Sequence, residues 1–234
     1  MSLEISKILQ VMSERKKYAI IVAGGSGTRL KSKTPKQFLE IGGKPILRHT
    51  IEKFLSLPFK VELIIVVASD MKEYWKAYCE NNLFLDKYYL PSGGMTRFHS
   101  VANALKYVDD NSVVAVHDGV RPFVTTEFLE MMYMEGERTG AAVPAVAPCE
   151  SVREVCETDS YPLVRENVRL IQTPQVFRSE ILKASYRLPY TEKFTDDASV
   201  VEAAGFNVSL VEGLKYNIKI TTPEDFRIAQ TLLG

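Results

Sequence analysis

Apolar positions in this chain follow two alternating rhythms. Tyr18 to Ala23, Leu63 to Ala68 and the run opening at Val113 are short, continuous apolar stretches rich in β-branched residues, as expected of strands buried on both faces of a parallel sheet. Between them the spacing becomes helical. Ile46, Leu47, Thr50, Ile51, Phe54 and Leu55 predict a helix over 45–57, with Pro45 in its first turn. Helices are likewise predicted over 70–81, from Met95, over 125–138 with Thr125 or Thr126 as cap, over 179–188, over 195–204 and from Pro223. Tyr74, Trp75 and Tyr78 read as helix packing rather than a base-stacking platform. Further strands are expected at Lys87 to Leu90, Gly140 to Ala147 and Val208 to Val211, and Pro144 and Pro148 give the second of these an edge character. The alternation predicts an α/β fold with a mostly parallel sheet. Two regions fall outside the rhythm. Residues 1–17 carry Ile5, Ile8, Leu9 and Met12 as a short amphipathic helix, an N-terminal extension before a single domain over 18–234. Residues 149–171 alternate apolar and polar at Ser151 to Glu157 and at Val168 to Ile171, with a turn at Thr158 to Pro162, which predicts a protruding β-hairpin arm. A hairpin alone is marginal in water, so the arm must dock on something.

Composition narrows the function classes. The 234 residues are 46% hydrophobic and 25% charged with zero formal net charge, so no global basic field draws nucleic acid. No apolar run reaches the ~20 residues of a membrane helix, and residues 1–17 lack an apolar signal core. Cys79, Cys149 and Cys156 have no metal-type spacing and read as reduced thiols of a cytoplasmic protein.

Chemistry concentrates behind the first strand. Gly24, Gly25 and Gly27 follow it directly, and Arg29, Lys31, Lys33 and Lys36 follow within a few residues. Glycines let backbone N–H groups face a ligand, and the cations suit phosphate. The dinucleotide fingerprint fails, because Leu30 stands where its third glycine belongs, and the Gly-Lys-Ser/Thr ending of the ATPase loop is absent. Asp118 ends a buried strand, where open α/β sheets bind ligands, and is the best metal-ligand candidate: such a carboxylate can hold Mg²⁺ that bridges phosphates. A simpler reading makes Asp118 a turn cap paired with Arg121. His49 and His99 read as packing or surface histidines, and Asp196 and Asp197 as helix-capping acids that are at most indirect contributors.

The sequence Ala-Gly-Gly-x-Gly-Thr-Arg-Leu over 23–30, followed by Pro35-Lys36-Gln37-Phe38-Leu39, resembles the nucleotidyltransferases that make nucleoside-diphosphate sugars and polyols. The Pro-Lys-Gln-Phe-Leu ending narrows the resemblance to the polyol-phosphate cytidylyltransferases, and most closely to the 2-C-methyl-D-erythritol 4-phosphate cytidylyltransferase family. Four later clusters match in the same order: Gly93-Gly94-x-x-Arg97-x-x-Ser100-Val101, His117-Asp118-Gly119-Val120-Arg121-Pro122, the arm up to Thr173-Pro174-Gln175, and Asn217-Ile218-Lys219-Ile220-Thr221. The resemblance implies a Rossmann-like three-layer sandwich that transfers a cytidylyl group from CTP to a polyol phosphate. It implies that Ala23, Gly24, Gly25, Gly27, Gly93, Gly94, Arg97, Ser100 and Asp118 meet the nucleotide and metal. Arg29, Lys36, Arg165 and Lys219 are the implied catalytic cations. Arg121 and Ser151, with Arg165 and Lys219, would hold the acceptor. The arm would clasp a second subunit of a homodimer and carry Arg165 into its site. Leu30-Lys31, Gly119 and Tyr216 depart from the family pattern, which has Arg-Met-Gly, Ala and often an acidic residue at these places. Two rival readings stay open: the same transfer to ribitol 5-phosphate, and a non-catalytic nucleotide-binding module.

Overall fold

The computed structural model describes residues 15–25 and 34–233. Gly27, Arg29 and nearly all of the expected N-terminal helix lie outside them. Strand β1 (Lys17–Ala23) is followed by a small ribbon of β2 (Glu40–Ile41) and β3 (Lys44–Pro45). Next come β4 (Val61–Val67), β5 (Tyr88–Tyr89), β6 (Val113–Asp118) and β7 (Ala141–Val146), joined by helices Ile46–Leu55, Lys72–Asn81, Arg97–Leu105 and Thr126–Thr139. The remainder holds β8 (Arg153–Val155), β9 (Ser160–Pro162), β10 (Leu170–Ile171), β11 (Gln175–Arg178) and β12 (Ser209–Glu212), with helices Ser179–Ser185, Asp197–Ala203 and Pro223–Leu233.

The main sheet runs β5-β4-β1-β6-β11-β7, with β10 and β12 also paired to β7. β1 lies parallel between β4 and β6, with Ala23 opposite Val67 and Val22 opposite Asp118. This register brings three strand ends to one edge. Successive residues of a strand face opposite sides. Ala19, Ile21, Leu63 and Ile65 accordingly pack under Leu47, Phe54, Trp75 and Leu129 of the helices on one face. Tyr18, Ile20, Ile64 and Val66 pack under Val101, Leu105, Leu182 and Val201 on the other. Both faces are covered, so the predicted three-layer α/β sandwich is the observed one.

Two sequence expectations need correction. β7 is not an edge: it pairs with β10 and β11 on antiparallel ladders and with β12 in parallel. Pro144 is accommodated because it lies opposite the step in register between β10 and β11, at Gln172 to Pro174. The second correction concerns the arm. Its hairpin pairs Arg153–Val155 with Ser160–Pro162, so part of the expected turn is strand and the true turn is the four residues between. Val168 to Ile171 does not complete the hairpin; Leu170 and Ile171 return to the main sheet against Val146 and Ala145. Every residue of β8 and β9 is exposed. The helix predicted over 179–188 ends earlier, at Ser185, and the Ser179 hydroxyl at its start accepts the buried N–H of Ser112. Among the described residues no helix is long and apolar enough to cross a membrane.

Candidate active site

The strand ends meet in a cavity of about 500 Å³ lined by Ala23, Lys36, Arg97, Asp118 and Lys219, among others. Each wall has a local cause. Pro35 starts a short 3-10 turn, Lys36–Phe38, and Phe38 is buried in edge contact with Tyr74, its ring centroid 5.0 Å away. That apolar anchor sets the turn, so Gln37 points inward and its Nε2 donates to the Ala23 carbonyl at 2.7 Å and the Gly25 carbonyl at 3.3 Å. The start of the glycine loop is thereby tied to the turn that carries Lys36. On the opposite wall Gly93 N–H donates to the Val67 carbonyl at 2.7 Å. Ser100 Oγ accepts from Gly94 N–H and donates to the Thr96 carbonyl, both at 3.0 Å. Gly94 is required sterically, since a Cβ there would stand 2.4 Å from His99 Cβ.

Asp118 is the floor. Its carboxylate lies 3.0 Å from Lys219 Nζ, 3.2 Å from Arg121 Nε and 3.6 Å from Arg97 Nε. Burial alone would raise its pKa, but Arg97, Lys219 and Arg121 outweigh it and hold the carboxyl well below the usual range. The turn-cap reading was therefore right about Arg121 and incomplete about the rest. The neighbouring His117 is fully buried. Its Nε2 is 3.1 Å from the Arg121 carbonyl, which can only accept, so Nε2 carries the proton and Nδ1 accepts from the Thr173 hydroxyl at 3.1 Å. Thr173 Oγ1 also accepts the Asp118 N–H at 3.1 Å. Burial pushes the pKa of His117 down to about 4, so it stays neutral and works as a strut under the Asp118 turn. Asn217 adds a second strut, its carbonyl accepting from Arg121 Nη1 at 2.8 Å and its Nδ2 donating to the Thr173 carbonyl at 2.8 Å.

Among the described residues no three His, Cys, Asp or Glu side chains converge as a metal cage. Asp118 is the carboxylate of the cavity lining that could serve a hard ion of the Mg²⁺ type, which uses one or two carboxylates together with substrate phosphates and water.

The structure thus gathers Ala23, Gly24, Gly25, Gly94, Arg97, Ser100, Asp118, Lys36 and Lys219 around one cavity, with Gly93 directly behind. It turns Arg121 away, onto Asp118 and Asn217. Arg165 and Ser151 stand on the exposed arm outside the cavity lining, with Arg165 Nη1 donating to the Cys149 carbonyl at 3.0 Å. Trp75 is core, as expected, and stacks on Tyr78. His49 and His99 bond the Ile41 carbonyl and the Thr96 hydroxyl and are bystanders. Asp196 is the expected cap, in a capping box with Ser199. Asp197 is not a cap: it is buried and binds Arg97 through both carboxylate oxygens, at 2.9 and 2.7 Å. Gln37, Thr173 and Asn217 were missed because each acts through a partner distant in sequence, whereas Asp197 is an indirect contributor, as expected, but through Arg97 rather than as a cap. The one available signal was Asp197 immediately before the apolar Ala198, Val200 and Val201, which places it at the inner end of its helix.

Comparison with known proteins agrees with this geometry. A family model described as IspD, 2-C-methyl-D-erythritol 4-phosphate cytidylyltransferase, matches residues 18–234. The curated protein of that name from Bacteroides fragilis is 46% identical over 215 residues, which span 92% of this chain and 98% of that one. Its counterpart from Porphyromonas gingivalis W83 is 43% identical over 221 residues, 94% of this chain and 99% of that protein. Among solved structures, the 4-diphosphocytidyl-2C-methyl-D-erythritol synthase of Anaerococcus prevotii superposes with TM-score 0.80 at 29% identity, covering 94% of this chain and 99% of that one. The 2-C-methyl-D-erythritol 4-phosphate cytidylyltransferase of Francisella tularensis gives TM-score 0.76 at 33% identity, covering 93% and 100%. With its ordered motifs, its three-layer sheet and a match that runs to the last residue, the chain belongs to the 2-C-methyl-D-erythritol 4-phosphate cytidylyltransferase family.

Proposed function

We propose that this protein transfers a cytidylyl group from CTP to 2-C-methyl-D-erythritol 4-phosphate, releasing pyrophosphate, as a step of isoprenoid precursor synthesis by the non-mevalonate pathway. The observation that carries the reading is the cavity at the strand ends, where one carboxylate is shared by Lys219, Arg121 and Arg97 with Lys36 on the facing wall. An acceptor phosphate oxygen forms a bond to the α-phosphorus as the bond to the β-phosphate oxygen breaks. The nucleophile is already anionic at neutral pH, so positioning and charge neutralisation dominate and no general base is needed. Lys36, with Arg29, holds the triphosphate. Arg97 and the Gly94–Ser100 turn border it. Lys219 links the nucleotide side to the acceptor side. Asp118 is the residue that would hold Mg²⁺, whose role when bound is to neutralise and align phosphate oxygens.

Acceptor phosphate is completed by Arg165 and Ser151 of a second copy, with Arg121 supporting from the floor. This part rests on the exposed arm. Val155, Tyr161, Val164 and Leu170 are all at least half exposed, an apolar surface that one chain leaves in water and a homodimer would cover. The free thiols Cys79, Cys149 and Cys156 support a cytoplasmic location.

The deciding assay is pyrophosphate release from each of the four nucleotides, with either 2-C-methyl-D-erythritol 4-phosphate or ribitol 5-phosphate, with Mg²⁺ and after chelation. Release confined to CTP, the first acceptor and Mg²⁺ is expected. Preference for ribitol 5-phosphate would move the enzyme to the rival acceptor, and binding of CTP without turnover of either would revive the non-catalytic reading.

A further inference from the structure

Arg97 on the cavity wall belongs to an ion pair whose other member, Asp197, the transfer chemistry leaves unused. Asp197 is completely buried at the first turn of helix Asp197–Ala203, while Arg97 opens helix Arg97–Leu105 one hundred residues earlier. The two meet as a bidentate pair at 2.9 and 2.7 Å, and the Tyr186 hydroxyl donates to Asp197 Oδ1 at 2.6 Å. The carboxylate is anchored from below as well. Buried Gln175 accepts the Ala198 N–H at 2.8 Å through Oε1 and donates to Asp196 Oδ2 at 2.8 Å through Nε2, which pins both neighbours of Asp197. A planar fork held at both terminal nitrogens cannot rotate about its long axis. Its Nε then faces Asp118, at 3.6 Å. Without Asp197 the same guanidinium would be free to take Asp118 end-on, competing with Lys219 at 3.0 Å and Arg121 at 3.2 Å.

We infer that Asp197 is a positioning residue for the transfer: it holds Arg97 in a fixed plane on the cavity wall and thereby keeps Asp118 shared with Lys219 and Arg121. Tyr186 and Gln175 are the supports of that anchor. The inference rests on the cavity being the site of cytidylyl transfer. It separates two consequences of Asp197→Asn. The variant leaves one more uncompensated positive charge beside the cavity, which favours a polyanion. It also loses the orientation of Arg97, which disfavours the reaction step.

The test compares wild type, Asp197→Asn, Arg97→Lys and the double variant by steady-state pyrophosphate release from CTP and 2-C-methyl-D-erythritol 4-phosphate with Mg²⁺. For Asp197→Asn, kcat is expected to fall on the order of tenfold or more while KM for CTP stays at or below the wild-type value. The double variant is expected to lose no more than about twofold beyond Arg97→Lys, because both changes remove one device. Losses that multiply in the double variant, or a raised KM for CTP with unchanged kcat, overturn the inference. If Asp197→Asn does not fold, Tyr186→Phe, which removes one donor and keeps the ion pair, replaces it. Its kcat is expected to fall severalfold, again without adding to Arg97→Lys, and unchanged kcat there also overturns the inference. A wild type that releases no pyrophosphate would sink the functional reading, and the inference with it, before any variant is compared.

Discussion

The cavity floor and the arm are both rich in charge, and they are built in opposite ways. On the floor, Asp118, His117, Thr173 and Asn217 are buried and each has partners on other segments of the same chain. On the arm, β8 and β9 are exposed throughout, and the Arg153 side chain bonds Ser160 across the hairpin. Buried polar groups must satisfy one another, so a change on the floor is felt throughout. Exposed charges trade one set of water contacts for another and weigh little in stability. The floor is therefore held together within one chain, with Asn217 Oδ1 as a buried atom left without a partner, while the arm has no core of its own.

The sharpest way to break the contrast is to remove the charge at its centre. Asp118→Asn leaves Arg97, Arg121 and Lys219 crowded around a neutral amide and is expected to cost about 3–5 kcal/mol, the range for a broken buried pair. Thermal and denaturant unfolding would read it, and a loss below about 1 kcal/mol would mean that the three cations are not held by Asp118.

His117 comes next. Its folded pKa of about 4 lies below the ordinary 6.5, so between these values the unfolded chain binds the extra proton and stability falls as pH falls. The full window is worth about 3 kcal/mol, at 1.36 kcal/mol per unit. Asp118 adds a loss in the same direction at lower pH, since its carboxyl is held down in the fold. Urea midpoints of wild type and His117→Gln between pH 7 and 4 would check this, and equal slopes would remove His117 from the account.

Lys36→Ala addresses activity rather than fold. Lys36 follows Pro35 at the start of its turn, while Phe38 keeps the turn packed, so the fold should survive. Turnover is expected to drop on the order of a hundredfold, equivalent to about 2.7 kcal/mol. Near-normal pyrophosphate release would take Lys36 out of the mechanism.

The smallest effect on stability belongs to the arm. Arg165→Ala is expected to change unfolding by less than about 0.5 kcal/mol, as an exposed substitution should. It is expected to weaken use of the acceptor while CTP binding is kept. Equal damage to both substrates would contradict an acceptor role for the arm. By sedimentation, the parent chain is expected at the mass of the proposed homodimer and a companion Val155→Asp variant at that of a monomer; equal masses for the two would refute the arm as a clasp.

Much of the fold was legible in order along the chain. Continuous β-branched runs such as Tyr18 to Ala23 and Leu63 to Ala68 became the central parallel strands, because a strand covered on both faces needs apolar residues at every position. Thr125 capped its helix and Asp196 closed a capping box, since capping is chemistry within three or four residues. Pro144 misled the assignment of β7, because a proline reports only a missing N–H, and the partner strand supplied the compensating step in register.

The sequence by itself determined the strand–helix alternation, the ordered family motifs and the residue types that meet phosphate, because each depends on local pattern or on residues within one segment. Tertiary structure alone decided that Asp118 serves three cations, that His117 carries its proton on Nε2, that Gln37 ties down the glycine loop and that Asp197 steadies Arg97. These pairings join residues up to 101 positions apart, and only burial, by driving polar groups to find partners, brings them together.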